Sequence, residues 1–200
     1  MTDDNLLERV YEYDLTSFEK VEEYQSSCTL RVQEHILQLH YHLVGKIDKL
    51  ELNQKQSSNI DSHGNHEGER KIGLWERSCF EFFLKNKDKN EYFEFNFAPS
   101  GDWNCFYFPN RTQDLSEFTR IKRIPISVGH ESIAGNDEFH LTALINLNHL
   151  GRYFYQEKQM RANLACILLN PNNGQKHHWA LAHQQKRPNF HDFNSFHAHF

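Results

Sequence analysis

The sequence predicts an all-β protein, an antiparallel β-sandwich of jelly-roll type with a few short helical turns. Three observations predict it. Apolar and polar residues alternate with period two in the clearest segments. The apolar segments are short and separated by turn residues. No long amphipathic helix and no internal repeat is visible in the 200 residues.

The segment 73–103, GLWERSCFEFFLKNKDKNEYFEFNFAPSGDW, carries the strongest pattern. In Cys79 to Leu84, Cys79, Glu81 and Phe83 face one way, and Phe80, Phe82 and Leu84 the other. In Tyr92 to Phe97, Phe93, Phe95 and Phe97 share a face opposite Tyr92, Glu94 and Asn96. With the charged turn KNKDKNE between them, the two runs read as a hairpin. Apolar side chains on both faces predict a central pair covered on both sides.

The remaining elements follow in chain order. Residues 1–27 begin acidic, with a short strand at Arg9 to Asp14, and read as an N-terminal strand or arm on a domain spanning 28–200. Thr29 to Gly45 alternates well enough to predict one long strand, or two with the first at Thr29 to Gln33. Residues 53–72 lack hydrophobic periodicity and read as a mobile surface loop delivering the chain to Trp75. Asn104 to Pro109 continues as a strand, and 110–120 is polar with room for a helical turn. Ile121 to Val128 reads as an edge strand because of Pro125. Gly129 to Asn136 is then a hairpin turn, Glu138 to Ile145 a strand, and Leu147 to Leu150 one helical turn. Arg161 to Asn170 is a buried strand, and Pro171-Asn172-Asn173-Gly174 turns it into His177 to Ala182. The polar turn QQKRPN leads to Phe190 and a last strand at Ser195 to Phe200.

Composition narrows the function. A net charge of −5 with a pI near 6.3 supplies no basic footprint for nucleic acid or an anionic membrane surface. No apolar run approaches the ~18 residues that span a bilayer. The first residues, MTDDNLLERVYEYD, lack an apolar signal core, so a cytoplasmic location is expected. Cys28, Cys79, Cys105 and Cys166 show no metal-ligand spacing and read as buried thiols. Most of the fourteen histidines, His35, His40 and His42 among them, read as positions on exposed faces and loops.

Glu81 and Glu94 stand among phenylalanines, where a carboxylate is expensive to bury. One reading turns both toward solvent at the sheet's edge. The other places Glu81 beside Trp75, six residues earlier, as a carboxylate and an indole suited to a sugar's hydroxyls and C–H face.

Four motifs, GLWERSCFEFFL, YFEFNFAPSGDW, HWALAH and RPNFHDFNSF, resemble the DOMON-like proteins related to family-nine carbohydrate-binding modules, over roughly residues 28–200. The resemblance implies a β-sandwich that binds a sugar between two aromatic rings. Trp75 and Glu81 match the modules' first tryptophan and its carboxylate, and Phe190 stands where the second tryptophan would be. The resemblance sets Glu94 where the modules have an arginine, and Ala165 near the place of a glutamine that they use. Other DOMON branches bind haem through a methionine and a histidine. Here the methionines are Met1 and Met160, neither in a matching motif.

The expected function is therefore a non-catalytic carbohydrate-binding module, its partner a sugar or sugar-containing small molecule. Its site comprises Trp75, Glu81, Glu94 and Phe190, with His183, Arg187 and His191 from the last loops. No cofactor and no metal is assigned. Two alternatives stay open. One is a haem- or metal-binding domain, the metal held by His177, His178 and His183. The other is a glycan-processing enzyme using Glu81 with Glu94 or Asp102, although G-x-S-x-G, H-E-x-x-H and a glycine-rich phosphate loop are all absent.

Overall fold

Alternation along each strand sorts the side chains into three layers. The structure, a computed structural model, describes residues 8–52, 68–110, 115–133, 136–154 and 160–200. Its strands are β1 (Arg9–Asp14), β2 (Thr16–Ser17), β3 (Tyr24–Gln33), β4 (Ile36–Gly45), β5 (Cys79–Asn86), β6 (Tyr92–Phe97), β7 (Trp103–Phe108), β8 (Ile126–Ile133), β9 (Asn136–Asn146), β10 (Met160–Asn170), β11 (Gln175–Ala180) and β12 (Ala198–His199). Every strand pairing is antiparallel. One sheet runs β1-β3-β4-β9-β8; the other runs β2-β11-β10-β5-β6-β7, with β12 beside β10. This is an antiparallel β-sandwich whose helical content, among the described residues, is confined to short 3-10 turns.

The inner faces meet in one core. Leu37, Leu39, Tyr41 and Leu43 of β4 and Phe139 and Leu141 of β9 pack toward Phe80, Phe82, Phe95 and Phe97. Tyr41 donates its hydroxyl proton to the Glu81 carbonyl at 2.7 Å, which joins the sheets without leaving a buried donor unpaired. All four cysteines are buried free thiols.

The hairpin of β5 and β6 sits centrally, as the alternation predicts, and it is covered on both faces. The outer cover is the chain's own C-terminal segment. Phe190 and Phe196 pack with Phe83, Tyr92, Phe106, Ala165 and Ile167 in a second apolar cluster outside the sheet. Asn163 holds that segment down by donating Nδ2–H to the Phe190 carbonyl at 3.0 Å.

Several expectations need correction. For Thr29 to Gly45 the one-strand reading fails and the two-strand reading holds: β3 ends at Gln33 as expected but begins earlier, at Tyr24, and the β3-β4 hairpin turns at Glu34 with a φ of 53°. Asn, Asp or Gly is the usual occupant of that conformation, so a glutamate hides the turn. Residues 121–125 precede β8 instead of belonging to it, and β8 continues through Gly129 to Ile133 where a turn was expected. Leu147–Phe154 is two 3-10 turns joined at Gly151, one more than predicted. The last strand is confined to Ala198–His199, shorter than the expected Ser195 to Phe200; Ser195 instead closes the 3-10 turn Phe193–Ser195, which Asp192 caps by accepting from the Asn194 amide at 3.1 Å.

The expected mobile loop has a firmly attached end; residues 53–67 lie outside the described residues. Arg70 donates to the Asn104 side chain at 2.6 Å and to the Ile121 carbonyl, and lies over the Trp103 ring at 4.3 Å. Lys71 pairs with Asp102 at 2.8 Å. Gly68 permits this approach, since a Cβ there would sit 1.7 Å from the Gly101 carbonyl oxygen. No helix among the described residues is long and apolar enough to cross a membrane.

Candidate functional site

The outer face of β10, β5, β6 and β7 carries a cavity of about 370 Å³. It is lined by Trp75, Glu81, Glu94, Phe108, Leu115, Ile167, His178, Pro188, Asn189, Phe190 and His191. Strand parity explains the floor. Glu81 and Glu94 project outward because their neighbours Phe80, Phe82, Phe93 and Phe95 project into the core. Glu94 stands opposite Phe83 and Glu81 opposite Asn96, so the carboxyls are diagonal neighbours on one face. Ala165 stands opposite Glu81 on β10, where a small side chain leaves the floor open.

Trp75 comes from the 3-10 turn Leu74–Glu76, which Gly73 opens at a φ of 80°. Its ring meets Phe106 edge-on at 5.8 Å. Lys176 donates to its carbonyl at 3.2 Å, fixing the turn to β11. Phe190 belongs to the C-terminal cover and packs against Phe83, with centroids 6.4 Å apart. His191 is held between Tyr92, whose hydroxyl lies 2.8 Å from Nδ1, and Glu94, 3.8 Å from Nε2.

Both carboxyls are buried, Glu81 at 3% exposure and Glu94 at 5%, so the solvent-edge reading fails for each. Burial is the main cause that raises the proton affinity of both groups. Glu94 is pushed up to about 7, opposed by the Asn96 side chain, which donates to Oε1 at 2.8 Å. Glu81 is raised well above the usual carboxylate range by burial and then by Glu94, with Cys79 and Lys176 acting in the other direction. A protonated carboxyl donates one hydrogen bond and still accepts others, whereas a carboxylate only accepts.

Of the residues expected at the site, the cavity brings together Trp75, Glu81, Glu94, Phe190 and His191. His183 is outside the lining, with Nε2 2.8 Å from the Thr16 carbonyl oxygen. Arg187 is exposed and also outside it. Asp102 belongs to the loop anchor. Burial would raise its carboxyl, but Lys71, the Glu69 amide and Ser100 outweigh that and hold it low.

The three histidines considered for a metal diverge. His177 meets Tyr24, His178 lies 2.7 Å from Glu19, and His183 turns to Thr16. Met160 opens β10 on its inner face, buried in the inter-sheet core. Sequence reasoning missed His178 as a cavity wall. Its place beside Trp179, whose side chain was expected in the core, was the available signal, since neighbours on a strand face opposite ways.

No protein-family profile matches the chain, and no curated protein matches it. Solved structures are similar in fold. A candidate carbohydrate-binding protein from Bacteroides uniformis aligns with a TM-score of 0.64 at 14% identity, covering 94% of this chain and 84% of that one. A family-nine carbohydrate-binding module from Caldicellulosiruptor kristjanssonii, in complex with cellotriose, aligns with a TM-score of 0.49 at 8% identity, covering 86% of this chain and 72% of that one. At 14% identity the likeness to the Bacteroides uniformis protein is one of fold, and it agrees with the sandwich described above.

Proposed function

We propose that this protein is a non-catalytic carbohydrate-binding domain that takes a sugar, or a sugar-containing small molecule, into the outer-face cavity. The observation that carries the reading is the composition of that cavity: aromatic walls from Trp75, Phe108 and Phe190 over a floor of two buried carboxyls, whose proton affinity burial raises. Aromatic faces suit the C–H surfaces of a pyranose, and groups that both donate and accept suit its hydroxyls. The volume lies near the lower end of the ~300–1,000 Å³ typical of small-molecule sites, which favours one or two sugar rings. The four free thiols support a reducing, cytoplasmic compartment.

The test is a titration of a saccharide and sugar-nucleotide panel followed by intrinsic fluorescence and calorimetry. Trp103 and Trp179 are buried, so Trp75 is the indole a cavity ligand reaches. Binding that disappears in Trp75→Ala supports the reading; a panel that leaves the wild type silent counts against it.

A second reading, a glycan-processing enzyme, has one observation in its favour: Glu81 and Glu94 are diagonal neighbours on one cavity-lining face, both raised by burial, as a pair of carboxyls for acid and base work would be. It requires turnover of a bound saccharide that Glu94→Gln abolishes while binding persists.

A further inference from the structure

A different cluster sits on the opposite side of the sandwich, on the outer face of the other sheet. His40 and His42 of β4 and Glu138, His140 and Thr142 of β9 share that face. His42 stands directly opposite His140, and His40 directly opposite Thr142. The His42 and His140 rings lie parallel, 4.5 Å apart and inclined by 5°. Both present Nε2 to one oxygen of Glu138, at 3.2 Å from His42 and 3.5 Å from His140.

We propose that His42, Glu138 and His140 bind a divalent first-row transition metal ion, with zinc the best match and water completing the shell. Bonds of about 2.0–2.1 Å at tetrahedral angles put neighbouring ligand atoms about 3.3–3.4 Å apart. The two nitrogen-to-oxygen separations bracket that value. The three donor atoms all lie within 4.8 Å of one another, so a small rotation of one imidazole closes the remaining edge. Two imidazoles and a carboxylate suit zinc, copper or nickel and do not suit calcium, which takes six to eight oxygens.

Orientation is supplied from behind the cluster. His140 Nδ1 lies 3.3 Å from His40 Nε2, and His40 Nδ1 lies 2.8 Å from the Thr142 hydroxyl. With the protons of this chain running toward Thr142, His140 keeps its Nε2 lone pair for the ion. An outer hydrogen bond of this kind commonly orients a metal-bound histidine. The approach is open, because Gly129 stands opposite His140 on β8 and only Ser27 stands opposite His42 on β3. The three side chains are 27–30% exposed, enough for water to reach the remaining positions. His40 and His42, expected on an exposed face, are thus half-buried and joined to His140 across the strand pair.

The full chain, produced without a histidine tag and stripped with a chelator that is then removed, is titrated with zinc by calorimetry. Circular dichroism and the urea midpoint check the fold of each variant. One ion per chain is expected, with no competition from calcium. His42→Gln, Glu138→Gln and His140→Gln should each remove or severely weaken that binding while remaining folded. His40→Ala should weaken it by roughly 10–100-fold without changing the stoichiometry. His178→Gln, which alters a histidine and carboxylate pair elsewhere, should leave it unchanged. Cobalt should produce a d–d absorption band that the His42→Gln/His140→Gln double variant lacks. The proposal is overturned if the wild type binds no ion, if the double variant binds as well as the wild type, or if His178→Gln is the variant that loses it.

Discussion

Replacing Glu94 with glutamine tests the electrostatics of the cavity floor. Glutamine keeps the Oε1 acceptor for the Asn96 amide and removes the ionisable group. In the folded chain Glu94 rises from an ordinary value of 4.5 to about 7, because burial penalises its charge. Between those values the folded state binds the proton more tightly than the unfolded state. The contribution of Glu94 is therefore fully present below about pH 4.5 and is lost as pH rises through about 7. At 1.36 kcal/mol per pH unit, that interval sets roughly 3 kcal/mol as the most stability Glu94 withdraws at high pH. Glu81, raised for the same reason, acts in the same direction. The assay is urea unfolding at half-unit steps from pH 5 to pH 8.5. Wild-type stability should fall across that range. Glu94→Gln should match the wild type near pH 5, exceed it at pH 8 and show a shallower slope, and Glu81→Gln/Glu94→Gln a shallower slope still. A Glu94→Gln profile parallel to the wild type throughout would refute the claim that Glu94 is protonated in the fold.

Other substitutions separate framework from site. Trp179→Ala removes an inner-face side chain packed against Tyr24 and should lower stability by roughly 3–5 kcal/mol in equilibrium denaturation. Gly68→Ala places a Cβ against the Gly101 carbonyl and should release residues 68–72, seen as faster amide exchange at Lys71 and Trp103, which hydrogen-bond across this junction. Asn163→Leu removes the hydrogen bond to Phe190 and should weaken ligand binding and loosen residues 188–196 together, read by amide exchange. Trp75→Ala should leave the urea midpoint within about 1 kcal/mol of wild type, because the ring sits half-exposed at the cavity wall.

Much of the framework was legible because alternation is a local signal. Phe80, Phe82, Phe93, Phe95 and Phe97 mark one face without any knowledge of the partner sheet, and the same parity places Glu81 and Glu94 together on the other. What covers that face was harder to read. Phe190 and Phe196 come from a segment more than a hundred residues downstream of Phe83, and only the tertiary fold lays it over β5 and β6. Turns without glycine or proline were also hidden, as at Glu34, where pairing of two long strands overrides a modest backbone preference. The cross-strand histidines were individually visible. Their meeting depends on the register of β4 against β9, which no local pattern encodes.

The most direct test of the central claim is a nitrogen–proton spectrum of the three tryptophan indoles during saccharide titration. The Trp75 indole resonance should shift with a saturable dependence on ligand, accompanied by backbone shifts at Glu81, Glu94 and His191. The buried Trp103 and Trp179 resonances should stay where they are. Saturable shifts confined to another surface, or a Trp75 resonance indifferent to every saccharide tried, would contradict it.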